Sequence, residues 1–594
     1  MSRLLHSHTE SDSLNSDDDW IDLSLPIRTR PAPKPAKPPI TTTPADDPPT
    51  IQDIITHLTE DEKELLLFFS ITTSPDRLVA LRKFYLDALA DLTRLPFSQT
   101  YTQSEKVDYL CLKNYLSRNL RRLDLQEQRQ SSPEVYTLLP FAVHITRLCE
   151  ARQRVNMGLL KPGGDWRAVA GDLGDAAEQA RSTKEWIEKG ELSSGPVAAR
   201  RAVKAARELV GQVKEFFNFF DRFDPEFGWW VGEPYKDFVG AVEGLVKTIE
   251  TRLLGRSGKE DADDGEIVGD PVGREGLLLE LEGEMIPYTP EELIGFANEQ
   301  WAWCESEMAK AATELGFGGD WAAALDHVKD KYEPPGGQVA MVKGLVDESA
   351  AYVKSHDLVT VPPVAEQTWR MFMLSPEEQK TTPFFLGGEE IFVAYPTGNM
   401  SHAAKMMSLR GNNRHMARGA AFHEMFPGHR LQLYMSARYK PYRRLFRTSF
   451  YNEGWAMYWE LLLWERGDFF KSAEDRIGTL FWRKHRCARI IFSLKFHLGE
   501  MSAQECVDFL VDKVGHERAT AEGEIRRSLD GDWGKEVLEK KGWSEKEFHD
   551  RVLKASEMPI EMLRALLLGE TEVDLARDLK SDWKFYDELD RNRE

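Results

Sequence analysis

Two histidines six residues apart, with a proline and a glycine between them, place a strong restriction on the local backbone. They are His423 and His429 in AFHEMFPGHRLQ. On a regular helix this spacing separates two side chains by about 120°, too far for both to bind one ion. Pro427 clashes with the carbonyl group of the residue four positions earlier and has no N–H to bond it, so the helix must kink or bulge. Gly428 permits backbone angles that other residues resist, and the sequence predicts a bend that brings both imidazoles to one face.

Two glutamates complete this pattern. Glu424 follows the first histidine directly, and Glu453 lies in YNEGWAMYWE, 24 residues after His429. Zinc in hydrolytic sites takes three nitrogen or oxygen ligands and lowers the pKa of a bound water toward ~7. A carboxylate that is not a ligand then accepts the water proton. The pattern predicts a Zn²⁺ site with Glu424 as general base. The alternative is that His423 is an ordinary core histidine and Pro427-Gly428 only ends a helix.

Further polar residues follow on two predicted helices. Glu460 is seven residues beyond Glu453, on the same helix face but about 10 Å along the axis, so it either supports the ligands or is solvated. In RIGTLFWRKHRCARIIFSLKFHLGE, a polar stripe is formed by Arg486, Arg489, Ser493 and His497. Such a stripe can face a cleft and stabilise an oxyanion. It can equally lie against an acidic neighbouring element.

The motif HExxPGH, the segment EGWA-Y-E, the helix RcaRIIFSLkFHlG and the segment VGHE together resemble domain-of-unknown-function family 885. The resemblance covers most of the chain after the first fifty residues and is strongest from Pro383 to Ser528. It implies a zinc-dependent peptidase acting on peptide substrates. The metal ligands that it implies are His423, His429 and Glu453. It implies Glu424 as the general base, and it places Arg489 and His497 at matching catalytic positions.

The chain departs from the family pattern at two places. Many members read PGHH, whereas Arg430 follows His429 here. If the second histidine of that pair were the ligand, this chain would have lost it. After Trp533 the chain passes through GKEVLEKKGW, where a segment with tyrosines and a glycine is expected. These departures favour one alternative function, a catalytically inactive peptide-binding or scaffold protein.

A serine-type peptidase is a weaker alternative. Some relatives carry the label Xaa-Pro dipeptidyl-peptidase, which motivates the comparison. The sequence contains no G-x-S-x-G nucleophile elbow, and GRSGK, which comes closest, has the wrong spacing in a polar loop.

Composition restricts the partners and the compartment. The formal charge of -21 argues against nucleic-acid binding, which requires clustered basic residues. Five cysteines without CxxC spacing indicate reduced core thiols. No apolar signal segment occurs in the first thirty residues, and no apolar run is long enough to span a bilayer. The sequence therefore predicts a cytoplasmic protein without a membrane partner, and it leaves the oligomeric state open.

The hydrophobic pattern predicts a mainly α-helical fold, and the family resemblance implies that it is of the metallopeptidase type. Residues 1–50 are rich in Ser, Asp and Pro and are predicted to be a disordered tail. A helical part at 51–360 precedes a part at 361–594 that carries the metal site, although 51–594 can also form one continuous domain. A small β element is predicted ahead of the metal helix. Its segment Ile391 to Pro396 is expected to be an edge strand that binds substrate backbone, or alternatively a plain hairpin.

Overall fold

The computed structural model describes residues 49–97, 101–130, 132–153, 165–255, 267, 269–380, 382, 384–529, 544–569, 574–579 and 582–584. All but the last two residues of the predicted disordered tail at 1–50 lie outside these ranges, and so does the segment GKEVLEKKGW after Trp533.

α-Helices form nearly all of the regular structure in the described residues, which confirms the mainly α prediction. Twelve helices precede residue 360: α1 Ile51–Phe68, α2 Pro75–Arg94, α3 Gln103–Gln130, α4 Pro133–Leu138, α5 Ala142–Gln153, α6 Trp166–Lys189, α7 Pro196–Asp221, α8 Pro225–Arg252, α9 Gly273–Gly283, α10 Pro290–Glu314, α11 Trp321–Lys329 and α12 Gln338–Ser355.

The remaining described residues contain ten helices and a small sheet. The helices are α13 Pro363–Gln367, α14 His402–Gly411, α15 Arg414–Glu424, α16 His429–Tyr439, α17 Ser449–Arg466, α18 Ala473–His497, α19 Ala503–Phe509, α20 Arg518–Ser528, α21 Glu545–Ala555 and α22 Ile560–Leu568. The strands are β1 Met371–Met373, β2 Phe385–Leu386 and β3 Ile391–Val393. Short 3-10 turns lie at Glu378–Lys380 and Pro441–Phe446, and a π-helical turn lies at Leu510–Val514.

Side-chain caps explain where several helices begin. Asp224 accepts hydrogen bonds from the backbone N–H groups at the start of α8, so this helix begins at Pro225. Proline fits the first turn of a helix because its missing N–H is not needed there. In α10 a capping box between Thr289 and Glu292 fixes the start of the helix.

The small sheet has the strand order β1-β3-β2. β3 pairs in parallel with β1 and antiparallel with β2, so it occupies the centre. The prediction that the segment from Ile391 to Pro396 is an edge strand is therefore wrong, because both sides of β3 are already hydrogen bonded. β2 has a strand on only one side within the described residues, and it packs against α15.

Helix α15, which carries His423, and helix α18, which carries the polar stripe, run side by side in the same direction. A Cβ atom at Gly478 of α18 would lie 2.6 Å from the carbonyl carbon of His415 in α15, so only glycine permits this approach. Eight residues later on each helix, Arg486 lies against His423. In each pair the two residues are 63 positions apart in the sequence. Eight residues correspond to about 12 Å along a helix axis. The close packing at Gly478 thus sets which side chains of α18 reach the end of α15.

The described residues from Thr50 onward form one compact unit, in which α10 packs on α18 and α12 packs on α15. All five cysteines are buried in the core, as predicted, and none of these described residues forms a disulfide. In the part of the chain that the structure describes, the helices are too short or too polar to cross a membrane.

Candidate metal centre

The bend predicted at Pro427 is a complete break between two helices. α15 ends at Glu424 and α16 begins at His429. The peptide bond between Phe426 and Pro427 is cis. Gly428 has a φ of -72°, so an unusual backbone angle at φ is not what requires glycine here. A Cβ atom at Gly428 would instead overlap the carbonyl group of His423, because the chain passes directly against the end of α15.

A tryptophan from the next helix holds this break in place. The indole N–H of Trp455 donates a 2.8 Å hydrogen bond to the carbonyl oxygen of Pro427, and Trp455 is buried. Trp459, one turn later on α17, is equally buried, but its indole N–H has no hydrogen-bond partner among the described residues. The two residues therefore form a matched pair that differs in this one hydrogen bond.

Trp455→Phe is expected to lower the free energy of unfolding by about 1 to 3 kcal/mol more than Trp459→Phe. Both changes shorten a buried indole to a phenyl ring, but only the first removes the donor to the buried Pro427 carbonyl oxygen. Urea-induced unfolding of the two variants, compared with wild type, measures the difference. Equal losses would show that the hydrogen bond does not stabilise the break.

The break brings the three predicted ligands together. The imidazole Nε2 of His423 lies 3.6 Å from one carboxylate oxygen of Glu453, and Nε2 of His429 lies 3.7 Å from the other. The two rings are perpendicular, with centres 4.8 Å apart. Within the described residues this is the one group of three His, Cys, Asp or Glu side chains with ligand atoms close enough for a metal, all within 4.8 Å.

Glu460 supports His423 from the opposite side of the ring. Its Oε1 atom lies 2.7 Å from Nδ1 of His423, and the carboxylate is buried. Arg486 binds the same carboxylate, with nitrogen to oxygen distances of 2.7 and 3.1 Å. A carboxylate acceptor at Nδ1 holds a ring proton there, so Nε2, which faces Glu453, is the nitrogen that a metal ion could bind once His423 is neutral. Of the two sequence-based possibilities for Glu460, contact with a predicted ligand is the one observed.

The two imidazoles have opposite pKa shifts. Burial disfavours the charged form of His423, but the carboxylates of Glu453 and Glu460 outweigh burial and raise its pKa to about 10. Burial is also the largest influence on His429, and it lowers the pKa of this residue below its ordinary value. A metal ion binds neutral imidazole, so a proton would have to leave His423 for an ion to bind there.

Glu424, the predicted base, is the last residue of α15, and its charge acts on both imidazoles. Its side chain lies against the backbone of Gly387, which directly follows β2. A Cβ atom at Gly387 would lie 2.6 Å from Cβ and 2.7 Å from Cδ of Glu424. The end of β2 therefore passes along the whole length of the Glu424 side chain.

Arg489 and His497, both on α18, have their described contacts with residues outside the candidate metal centre. Arg489 binds Glu524 at 2.6 Å and donates to His485 at 2.9 Å. His497 is buried at the end of the helix, where its Nδ1 accepts a hydrogen bond from the backbone N–H of Val272. It lies about 16 Å beyond Arg486 along the helix axis. Catalytic roles for Arg489 and His497 stay predictions, whereas Arg486 is the member of the stripe that contacts the metal centre.

Arg430 does not enter the group of ligands. One of its nitrogen atoms donates to the carbonyl oxygen of Glu389 at 3.1 Å, and another donates to Oγ1 of Thr368 at 3.2 Å. His429 already provides the second imidazole. The group of three predicted ligands therefore forms without a histidine at position 430.

Two features of the centre were missed in the sequence. The pair formed by Glu460 and Arg486 joins α17 and α18, and nothing in the local pattern of either helix indicates which charged residues meet. The contact of Gly387 with Glu424 had a visible signal in LGGEE, where two glycines precede the buried residues of β3. Glycine pairs beside a strand often mark a close approach of the backbone to another group.

A family described as "Bacterial protein of unknown function (DUF885)" matches residues 71–531. The chain belongs to this family. DUF885 membership confirms the resemblance noted in the sequence, while the description of the family assigns no activity. No curated protein matches this DUF885 chain.

Two solved structures share the fold of this DUF885 chain. One is "a putative lipoprotein of unknown function" from Shewanella oneidensis, with 17% sequence identity and a TM-score of 0.61 over 88% of this chain and 100% of that one. The other is "the putative lipoprotein" from Colwellia psychrerythraea, with 14% identity and a TM-score of 0.51 over 87% of this chain and 99% of that one. At these identities the likeness concerns the fold alone.

Proposed function

We propose that the protein is a zinc-dependent hydrolase, most specifically a metallopeptidase. The observation that supports this proposal is the convergence of His423, His429 and Glu453. Ligand atoms bound to one zinc ion at 2.0 to 2.1 Å in tetrahedral geometry lie about 3.3 Å apart. The distances of 3.6 and 3.7 Å from the imidazoles to the two oxygens of Glu453 are close to this value, and all ligand atoms of the group lie within 4.8 Å of one another.

The donor set fits zinc. Two imidazoles and one carboxylate are a known ligand set of catalytic zinc sites, which keep one position open. The buried acceptor at Nδ1 of His423 is a further feature of metal-binding histidines, because it fixes the tautomer and increases the basicity of the ligand nitrogen. A bound zinc ion would supply a water molecule with a pKa near 7 and polarise a substrate carbonyl group.

The residues of the chain have separate roles in this proposal. Glu424 accepts the proton of the attacking water and passes it to the leaving amine. Glu460 holds His423 in the required tautomer, and Arg486 holds Glu460. A peptide is proposed to bind along the outer side of β2, which ends at Gly387 beside Glu424, since an unpaired strand edge offers N–H and C=O groups to an extended chain. A cytoplasmic location stays a prediction.

Purified protein is expected to contain one zinc ion per chain and to cleave peptides. Cleavage should stop when a chelator removes the metal and return when zinc is added, because no other described group provides the same water activation. Elemental analysis and cleavage of a peptide library measure both quantities. Cleavage that survives complete metal removal would contradict the proposal. Bound zinc without any turnover would instead favour an inactive peptide-binding protein.

A further inference from the structure

The turn at residues 387–390, which joins β2 to β3, is in contact with the proposed base at one end. Gly387 lies flat against the side chain of Glu424, and a Cβ atom at that position would overlap it. Glu424 is the last residue of its helix, so no following helical turn restricts its side chain. The backbone of the 387–390 turn is therefore a wall that limits the orientations of this carboxylate.

The other end of the 387–390 turn is held by Arg430. The guanidinium group donates to the backbone carbonyl oxygen of Glu389 and to the hydroxyl group of Thr368, which follows α13. Its central carbon lies 5.5 Å from the ring centre of Tyr434, and the side chain is partly buried. A planar guanidinium group can bind two acceptors in fixed directions at once. Arg430 thus connects the turn, α13 and α16 through one rigid group.

Two other arginines bind the same turn, but through exposed side chains. Arg444 lies 3.4 Å from the carboxylate of Glu389, with both side chains about half exposed, and Arg370 binds Glu390 from a largely exposed position. Exposed ion pairs are weakened by water and salt. A backbone carbonyl bound by a partly buried guanidinium group is the firmer connection, so Arg430 is the firmest side-chain restraint on a turn whose ends are held by the pairing of β2 with β3.

We propose that Arg430 is a positioning residue for the hydrolytic reaction. It fixes the 387–390 turn so that Gly387 holds the Glu424 carboxylate in its working orientation. This inference rests on the proposed function. It explains why the residue directly after a metal ligand is an arginine: α16 begins with His429, and the next side chain ties the same helix to the wall beside the base.

Arg430→Gln is expected to lower kcat for peptide cleavage about 10- to 100-fold, because small displacements of a catalytic group have effects of this size. KM should change far less, and zinc content should equal that of wild type. Arg438→Gln is the matched control, since Arg438 is an exposed arginine on the same helix. Unchanged kcat, or loss of zinc in parallel with activity, would overturn the proposal.

A second measurement does not depend on turnover. The backbone amide of Ile391, which directly follows the turn and donates a hydrogen bond to the carbonyl oxygen of Arg370, should exchange with deuterium at least several-fold faster in Arg430→Gln than in Arg438→Gln, because the turn loses its firmest side-chain restraint. Unchanged exchange would overturn the proposal even if the wild-type protein cleaves no peptide. Absence of peptidase activity together with faster exchange would instead show that the restraint is correct and the proposed function is wrong.

One further variant tests the contact between Arg430 and Thr368, and another tests the contact between Gly387 and Glu424. Thr368→Val removes one acceptor of Arg430, so it should reproduce part of the effect, and adding it to Arg430→Gln should cause little further loss. Gly387→Ala should lower kcat with zinc retained, because the new methyl group displaces the base. Gly398→Ala, where a Cβ atom would meet nothing within 4 Å, should behave as wild type. Additive effects of the Thr368 and Arg430 changes would contradict the shared restraint.

Discussion

Glu424→Gln is expected to lower kcat for peptide hydrolysis about 10²- to 10⁴-fold, the range typical of a lost general base. Glutamine has nearly the same shape as glutamate, so it keeps the contact with Gly387 and leaves the 387–390 turn in place. It cannot accept a proton from water at neutral pH. Steady-state cleavage of a fluorogenic peptide, with zinc content measured on the same samples, tests both parts of the expectation.

Glu465→Gln is the matched control for this measurement. Glu465 lies on α17, the helix that carries Glu453 and Glu460, but its side chain is exposed. The same loss of one negative charge should therefore leave cleavage unchanged. Undiminished turnover in Glu424→Gln would exclude Glu424 as the base. Loss of zinc in Glu424→Gln would mean that Glu424 acts in metal binding rather than in proton transfer.

The convergence of His423 and His429 could be predicted from the sequence because its determinants are local. Pro427 and Gly428 lie between the two histidines, and proline cannot continue a helix that already began upstream. The prediction of a kink or bulge within one helix was wrong in form, because the chain breaks completely between α15 and α16. The hydrogen bond from Trp455 to Pro427 comes from a helix 28 residues away, and local propensity contains no information about such a contact.

The pairing of the three strands and the rotation of α18 about its own axis could not be predicted from local sequence. β3 lies between two strands because β1 pairs with it in parallel, and strands of two or three residues give too little pattern to show their neighbours. The polar stripe of α18 indicated a face but not which residue reaches the metal centre. That choice depends on the contact between Gly478 and His415, which selects Arg486 rather than Arg489.

Zinc affinity is expected to fall in steps along a series of variants of the metal centre. Glu460→Gln keeps a hydrogen-bond acceptor for Nδ1 of His423 but loses the negative charge, so affinity should fall about 10- to 100-fold. His429→Ala removes one of three ligands and should leave no stoichiometric zinc after gel filtration. Competition with a chromophoric chelator gives the dissociation constants, and Glu465→Gln again serves as the control.

The order within this series separates a metal centre from a buried ion-pair cluster. In a cluster without metal, Glu460 has the shorter contact with His423, at 2.7 Å, and it also binds Arg486, so its replacement would disturb the protein more than replacement of His429. In a zinc site the ranking for metal binding reverses, because His429 is a direct ligand and Glu460 acts only through His423. A larger loss of zinc in Glu460→Gln than in His429→Ala would therefore contradict the assignment of His429, and the coordination proposed for this centre would fail with it.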